Sequence, residues 1–404
     1  MADQGYDVIV VGARCAGSPV AMLLARKGYR TLLVDRATFP SDTVSTHLIH
    51  PPGGASLQRW GLLDRLTATG CPPIGRYTFD FGPLTLGGAP GTDDSPFAYA
   101  PRRTVLDKLL VDAAAEAGAE VREAFTVEEI LVEDGQVTGI RGHAVGGSAV
   151  VERARVVVGA DGRNSVVAKA VRPGQYHERP PLTCGYYSYW SNLPVHGTFE
   201  IYSRPGRGWA ACPTHDDLTM VVGGWSYAEL AEHRDDIEGT LLSAFETAPE
   251  FAERIRAAKR EERFVGTSVP NYFRAPFGAG WALVGDAGYN RDFITAQGIT
   301  DAFRDAELCA DALDETLTGK RPHDEAMADY WSTRDAQVLP MYEMTAQIAA
   351  LQPPEPQMVQ LVGAMQGNQE AMDAFARVNS GATPPAEFFA PDNVGRIISQ
   401  AQSS

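Results

Sequence analysis

The sequence predicts an α/β fold in three parts: a Rossmann-like parallel-sheet unit, an antiparallel β-sheet unit and a helical C-terminal region. Three observations predict it. An apolar strand at Tyr6–Val11 runs into Gly12-Ala13-Arg14-Cys15-Ala16-Gly17 and a helix, with a second strand following, a βαβ start of about 30 residues. Two later apolar runs, Arg155–Val158 and Leu283-Val284, also end in turns carrying glycine and aspartate. Between these runs lie strand-like segments crowded with aromatics, and residues 324–404 read as helices broken by prolines.

The elements follow in order. The first helix carries Val20, Leu23 and Leu24 on one face and stops at Gly28; Asp35 closes the strand Thr31–Val34. Ala55–Leu66 reads as one helix, Tyr77–Leu86 as strand material turned at Gly82-Pro83, and Gly87–Ser95 as a loop. Val105, Leu106, Leu109, Leu110 and Ala113 mark a helix ended by Gly118. Val127–Glu133 and Val137–Arg141 flank Asp134-Gly135, a hairpin signal, with Val150-Val151 opening a third strand and Arg155–Val158 a separate one. Thr183–Trp190, Thr198–Ser203, Gly208–Cys212 and Leu218–Trp225 read as antiparallel strands, and Ala228–Lys259 as charged helix. After Gly298, Ile299, Ala302, Phe303, Ala306, Cys309 and Leu313 share a helix face. Helix breaks are expected at Pro340, Pro353-Pro354, Pro356 and Pro384-Pro385. The implied organisation is discontinuous: 1–75, 100–175 and 265–323 for the Rossmann-like unit, 76–99 and 176–264 for the β-sheet unit, and 324–404 for the helical region.

A net charge of -16 argues against nucleic acid and anionic membranes as partners. No apolar run approaches the roughly 18 residues a membrane span needs. The start of the chain lacks a basic, apolar leader, which points to the cytoplasm. The five cysteines (Cys15, Cys71, Cys184, Cys212, Cys309) show no metal-ligand spacing, so no metal is expected, and their scatter suits a reducing compartment.

Three turns carry the chemistry. In a GxGxxG loop the first glycine makes the tight turn, the second lets a pyrophosphate approach and the third allows close helix packing. Here Gly12 and Gly17 fill the first and third places and Arg14 the second, either to neutralise phosphate or to push it outward. Asp35 lies at the distance for a ribose hydroxyl pair. Asp161, in Gly159-Ala160-Asp161-Gly162, either meets a nucleotide or caps the helix starting near Ser165. Asp286, after Gly285 at a strand tip, can bind a sugar-like hydroxyl, and the helix start at Gln297-Gly298 offers free N–H groups and a positive dipole end.

In this order the turns resemble the flavin-dependent monooxygenases of the p-hydroxybenzoate hydroxylase fold group, over roughly residues 5–315. The resemblance implies FAD, held by Gly12, Ala13, Arg14, Ala16, Gly17, Asp35, Arg36, Thr46, Arg103, Asp161, Gly285, Asp286, Gln297 and Gly298. Arg102 is the alternative to Arg103. It implies NADH or NADPH as electron donor and hydroxylation of an aromatic or polyketide-like small molecule through a flavin C4a-hydroperoxide. Two departures stand out. Family prolines beside the flavin give way to Asp292 and Phe293, and a phosphate-facing arginine gives way to Ser45-Thr46-His47. No catalytic residue is assigned; His47, Arg291 and Asp292 are the candidates, with His215, Tyr187 and Tyr189 as further bases by type. The halogenase Trp-x-Trp-x-Ile-Pro motif and the Tyr-x-Trp-x-Phe-Pro-type motif of geranylgeranyl reductases are both absent. Reductase-like texture at Asp35-Arg36-x-x-Phe39-Pro40 and Glu387-Phe388-Phe389 keeps a reductase or dehydrogenase without oxygen transfer as the alternative. A degenerate nucleotide-binding protein is the non-enzymatic one. Residues 324–404 are left three roles: cover for the substrate pocket, a homodimer face, or a buttress.

Overall fold

Apolar β-branched runs bury both faces of a strand only inside a layered sheet, and the computed structural model, which describes residues 5–402, places them so. The chain opens with β1 (Tyr6–Val11), α1 (Gly17–Arg26), β2 (Thr31–Val34) and α2 (Pro51–Arg59). The hairpin of β3 (Arg76–Asp80) and β4 (Thr85–Gly88) precedes α3 (Arg103–Glu116). Next come β5 (Glu120–Arg122), β6 (Phe125–Glu133), β7 (Gln136–Ala144), β8 (Val150–Gly159) and α4 (Val166–Val171). β9 (Thr183–Ser191), β10 (Thr198–Arg204), β11 (Arg207–Pro213) and β12 (Thr219–Ser226) lead to α5 (Ile237–Phe245) and α6 (Pro249–Ala257). After β13 (Val265–Ser268), β14 (Phe277–Gly278) and β15 (Trp281–Leu283) the chain turns helical. Its main helices there are α7 (Gly298–Leu317), α8 (His323–Ala349), α9 (Pro356–Met365), α10 (Gln369–Ser380) and α11 (Pro391–Gln402).

The first sheet runs β14-β15-β8-β1-β2-β5, with all but β14 parallel. Side chains alternate across it as a period of two requires. Val8, Val10, Leu33 and Val158 face α1, α3 and α7 through Val20, Leu24, Leu106, Leu110 and Phe303. Ile9, Val11, Leu32 and Val157 face Ile130, Val137 and Ile140 of the β6–β7 hairpin and Val167 of α4. The second sheet runs β9-β12-β11-β10-β3-β4, with β13 also on β9; only β10 and β3 pair in parallel. Its outer face (Trp190, Trp209, Trp225) packs on α5 and α6. Its inner face (Tyr77, Phe79, Phe199, Met220) is covered by Leu361, Met365, Phe375 and Ile397 of α9, α10 and α11. The C-terminal helices therefore cover one face of the antiparallel sheet.

The α/β class matches expectation, and four local expectations need correction. Val150-Val151 and Arg155–Val158 are one strand, because the first half of β8 pairs with β7 and the second half with β1. Ala55–Leu66 is two helices, Pro51–Arg59 and Leu63–Thr67, separated at Gly61 in the left-handed region (φ 74°). Ala228–Lys259 is broken into Leu230–His233, α5 and α6, the last opened by Pro249, where a missing N–H costs nothing. Pro340 does not break α8: buried Tyr330, Val338, Met341 and Tyr342 lie on both sides of it, and packing outweighs the lost bond.

Candidate active site

β8 lies between β15 and β1, with Val11 opposite Gly159 and Gly159 opposite Leu283. The three chemistry-bearing turns therefore leave adjacent parallel strands at one edge, where ligands bind in such sheets. They touch through their glycines. A Cβ on Gly12 (φ 104°) would lie 2.5 Å from Ala160 O, one on Gly17 1.8 Å from Gly12 O, and one on Gly285 2.9 Å from the Ala16 Cβ. No side chain caps α1 at Ala16 or α7 at Gln297, and Gly298 is exposed. Both helices present free N–H groups and a positive dipole end there.

The carboxylates divide the work. Asp35, half-buried, accepts Ala13 N–H at 2.7 Å and Ala37 N–H at 2.8 Å, leaving further lone pairs for hydroxyls. Arg36 beside it is exposed and Thr46 is half-buried. Asp161 Oδ2 accepts Val166 N–H at 2.6 Å, and Ser165 caps α4, so the capping expectation describes one oxygen. The other, Asp161 Oδ1, is buried without a partner, and burial raises this carboxyl's pKa against the pull of Ser165 and Val166. An orphaned acceptor beside the Gly12 turn fits a ligand that brings a donor. Asp286 is exposed between buried Gly285 and Ala287. Protein crowded around it lifts its carboxyl from 3.8 to about 6; Arg103 and Arg163 oppose the rise and Asp301 and Asp305 add to it. Solvent reaches this side chain, which damps the rise.

That shift has a sign. An acid whose pKa is raised by folding loses its contribution to stability as pH climbs from its unfolded value through about 6. Asp286→Asn should therefore make the cofactor-free protein more stable than wild type at pH 7 while weakening cofactor retention. Thermal unfolding at pH 7 and below pH 4 checks this, since the stability difference should vanish in acid.

Arg14 and Arg103 converge on Asp107, which is fully buried. Arg103 Nε and Nη2 donate to Oδ1 at 3.1 and 2.9 Å, while Arg14 Nη1 pairs with Oδ2. Arg14 also donates to Ser41 Oγ at 3.0 Å, so its guanidinium straps the segment after β2 to α3 instead of entering the glycine turn. Arg102 points elsewhere: it pairs with Glu262 at 2.8 Å and lies 3.8 Å from the Tyr189 ring centroid. Asp107 was missed in the sequence; its spacing of four from Arg103 on one helix is the signal that could have found it.

Before α7, Arg291 is buried and pairs with Asp301; Arg304 bridges Asp301 at 2.8 Å and Asp305 at 3.0 Å, and Asp305 accepts Gly285 N–H at 3.2 Å. This ion network joins the third turn to the first turns of α7. Asp292 pins its loop to β9, accepting Thr183 N–H at 3.0 Å and the Thr183 hydroxyl at 2.8 Å. Phe293 packs on Gly185.

His47 lies at the seam between the two sheets, fully buried, with φ 62°. Its Nδ1 donates to Ser45 O at 2.8 Å, since a carbonyl only accepts, so Nε2 accepts from the Tyr189 hydroxyl at 2.7 Å. Burial, and then Arg103, lower its pKa to about 4. The Tyr187 ring is 5.3 Å from that of His47. Three candidate bases thus meet at one place. His215 is elsewhere, accepting Arg102 N–H at 3.2 Å and bonded to Thr69 Oγ1 at 2.8 Å. His50, not singled out in the sequence, bridges Tyr77 and Thr295. Among the described residues no cluster of acidic, histidine or cysteine side chains could hold a metal, and no helix is long and apolar enough to cross a membrane.

The chain is similar to a 1H-pyrrole-2-carbonyl-[peptidyl-carrier protein] brominase of Pseudoalteromonas luteoviolacea, 25% identical over 78% of this chain and 79% of that one. It is 29% identical to the 6-methylpretetramide 4-monooxygenase of Streptomyces rimosus over 77% and 76% of the two chains. It is 27% identical to a digeranylgeranylglycerophospholipid reductase of Methanocella arvoryzae over 80% and 81%. Among solved structures, a flavoprotein/dehydrogenase from Cytophaga hutchinsonii shares the fold with a TM-score of 0.83 over 98% of this chain and 99% of that one, at 17% identity. The FAD binding domain family matches residues 5–343, and the chain belongs to that family, an FAD-dependent oxidoreductase of the p-hydroxybenzoate hydroxylase fold group.

Proposed function

We propose that this chain is an FAD-dependent monooxygenase that hydroxylates an electron-rich aromatic or polyketide-like small molecule, with NADH or NADPH as electron donor and O2 as co-substrate. Gly12, Ala13, Ala16 and Gly17 shape the floor for the dinucleotide's diphosphate. Asp35 takes the ribose hydroxyls and Asp286 the ribityl chain, with Arg103 beside it. Gln297 and Gly298 face the flavin with the α7 N-terminus. FAD, when bound, supplies the two-electron redox chemistry. The acidic chain and its scattered, buried cysteines agree with a cytoplasmic enzyme.

The observation that carries the substrate class is the Tyr189–His47 pair with Arg102 over the Tyr189 ring. An ordinary phenol near pKa 10 and His47 near 4 differ by roughly six units, about 8 kcal/mol, so outright proton transfer to His47 is too uphill to be the working step. The pair acts by hydrogen bonding instead. With its own proton donated to His47 Nε2, the Tyr189 oxygen accepts from a substrate hydroxyl, and Arg102 steadies the charge that develops. Tyr189→Phe should lower kcat/KM by about tenfold, the worth of one hydrogen bond, with FAD affinity unchanged. His47→Gln, which keeps an acceptor, should lose less than His47→Ala. Steady-state kinetics on the three variants checks the order, and a limb near pH 6.5 traced to His47 would contradict it.

The deciding experiment is O2 uptake by the FAD-loaded protein with NADH or NADPH over a panel of phenols and aromatic polyketides, with labelled O2 traced into product. Similarity to the archaeal reductase supports the second reading, reduction at the same site. That reading requires substrate turnover without O2. Labelled oxygen in product excludes it.

A further inference from the structure

The turn from Phe293 to Gly298 carries a conformation that its own residues do not favour: Ala296 is left-handed at φ 53°. A non-glycine residue stays there only when its surroundings hold it. Three groups from three distant segments do so. His50, 1% exposed at the start of α2, donates Nε2–H to Thr295 O at 3.0 Å. Its Nδ1 is then an acceptor and takes the Tyr77 hydroxyl of β3 at 2.8 Å. The His50 backbone N–H is also anchored, to Thr300 Oγ1 inside α7 at 3.0 Å. From α8, fully buried Thr345 shares a hydroxyl–hydroxyl bond with Thr295 at 2.8 Å. From the last turn of α10, Asn379 O accepts Gln297 Nε2–H at 2.9 Å. The last two contacts reach the turn from helices that lie at or beyond the end of the matched family region, residues 5–343.

We propose that His50 is the positioning residue of a three-sided clamp, closed by Thr345 and Asn379, that holds the turn Thr295–Gly298 so that the open N-terminus of α7 sits at one fixed place against the flavin. This rests on the FAD reading given above. A helix dipole acts over about one turn, so displacing this end weakens its hold on negative charge. The reduced, anionic cofactor is then stabilised less than the oxidised one, and the midpoint potential falls.

The test uses the full chain loaded with FAD: potentials by equilibration with a reference dye, sulfite affinity as a second measure of positive character near the flavin, and FAD affinity by fluorescence. His50→Ala should weaken sulfite binding about tenfold and lower the potential by about 30 mV, the same factor for a two-electron couple. His50→Gln, whose amide N–H can reach Thr295 O, should recover most of the shift. Thr345→Val should shift both readouts in the same direction by about threefold, or about 14 mV. Unchanged potentials in His50→Ala and Thr345→Val overturn the proposal, as does a fall in FAD affinity alone. If His50→Ala does not fold, Thr345→Val decides. A wild-type chain that takes up no FAD overturns the FAD reading itself, which is a different result from FAD-loaded variants with unmoved potentials.

Discussion

Gly17→Ala should purify without bound FAD and should not regain it on reconstitution. The added Cβ would stand 1.8 Å from Gly12 O and 3.0 Å from the Ala160 Cβ. Neither neighbour is a flexible side-chain end: one is the backbone of the first turn, the other belongs to the second. The loop must rebuild, and overpacking of this kind costs about 1–3 kcal/mol even where side chains can yield. The damage falls on the two touching turns that we propose carry the diphosphate. Gly28→Ala is the control. Gly28 has a positive φ, 91°, but nothing lies within 4 Å of its Cβ, so the variant should lose about 1 kcal/mol and keep its cofactor. Flavin absorbance per polypeptide, with denaturant unfolding, measures both. Equal flavin content in the two variants would remove the Gly12–Gly17 turn from the site.

Asp107→Asn should give the second large effect. One buried carboxylate now serves two guanidiniums, Arg14 and Arg103, and accepts the Cys15 thiol as well. Removing its charge leaves two cations facing each other, and breaking a buried pair costs about 3–5 kcal/mol. The Arg14 side chain is 25% exposed, so water takes up part of the loss and the low end of that range is expected. FAD affinity should fall with it, because Arg103 loses the anchor that sets it near Asp286. Adding Arg14→Met should restore part of the stability by removing one cation. Unfolding with and without FAD across the four-member cycle checks this. Additive losses would show that the two arginines do not share the carboxylate.

The three turns with glycine and aspartate were legible because their signals are local. Gly12, Gly17, Asp161, Gly285, Asp286 and Gly298 each follow an apolar strand or open an amphipathic helix, and a few neighbouring residues state that. Other features were not legible. Arg102 and Arg103 are adjacent and alike in composition, yet one stacks on Tyr189 and the other binds Asp107. Asp292 was a catalytic candidate, and nothing in the sequence signalled that it pins its loop to Thr183, a contact across more than a hundred residues. His47 was a candidate base and His50, three residues on, was not singled out; their partners come from β9 in one case and from β3 and the turn before α7 in the other. Pro340 read as a helix break because the cost of a proline is local, whereas the packing that overrides it is not.

By itself the sequence determined that strand–turn–helix units with glycine at their tightest points would bring three turns to one sheet edge, since backbone stereochemistry and side-chain periodicity act over a few residues. The tertiary structure alone decided which of Arg102 and Arg103 binds Asp107 and which stacks on Tyr189, that Arg14 reaches Asp107 and Ser41, that His47 is buried against Tyr189, and that the C-terminal helices cover the β-sheet. Each of those depends on burial and on partners far away in the chain, and the free energy of a buried polar group is set by what surrounds it in space, whatever its neighbours in sequence.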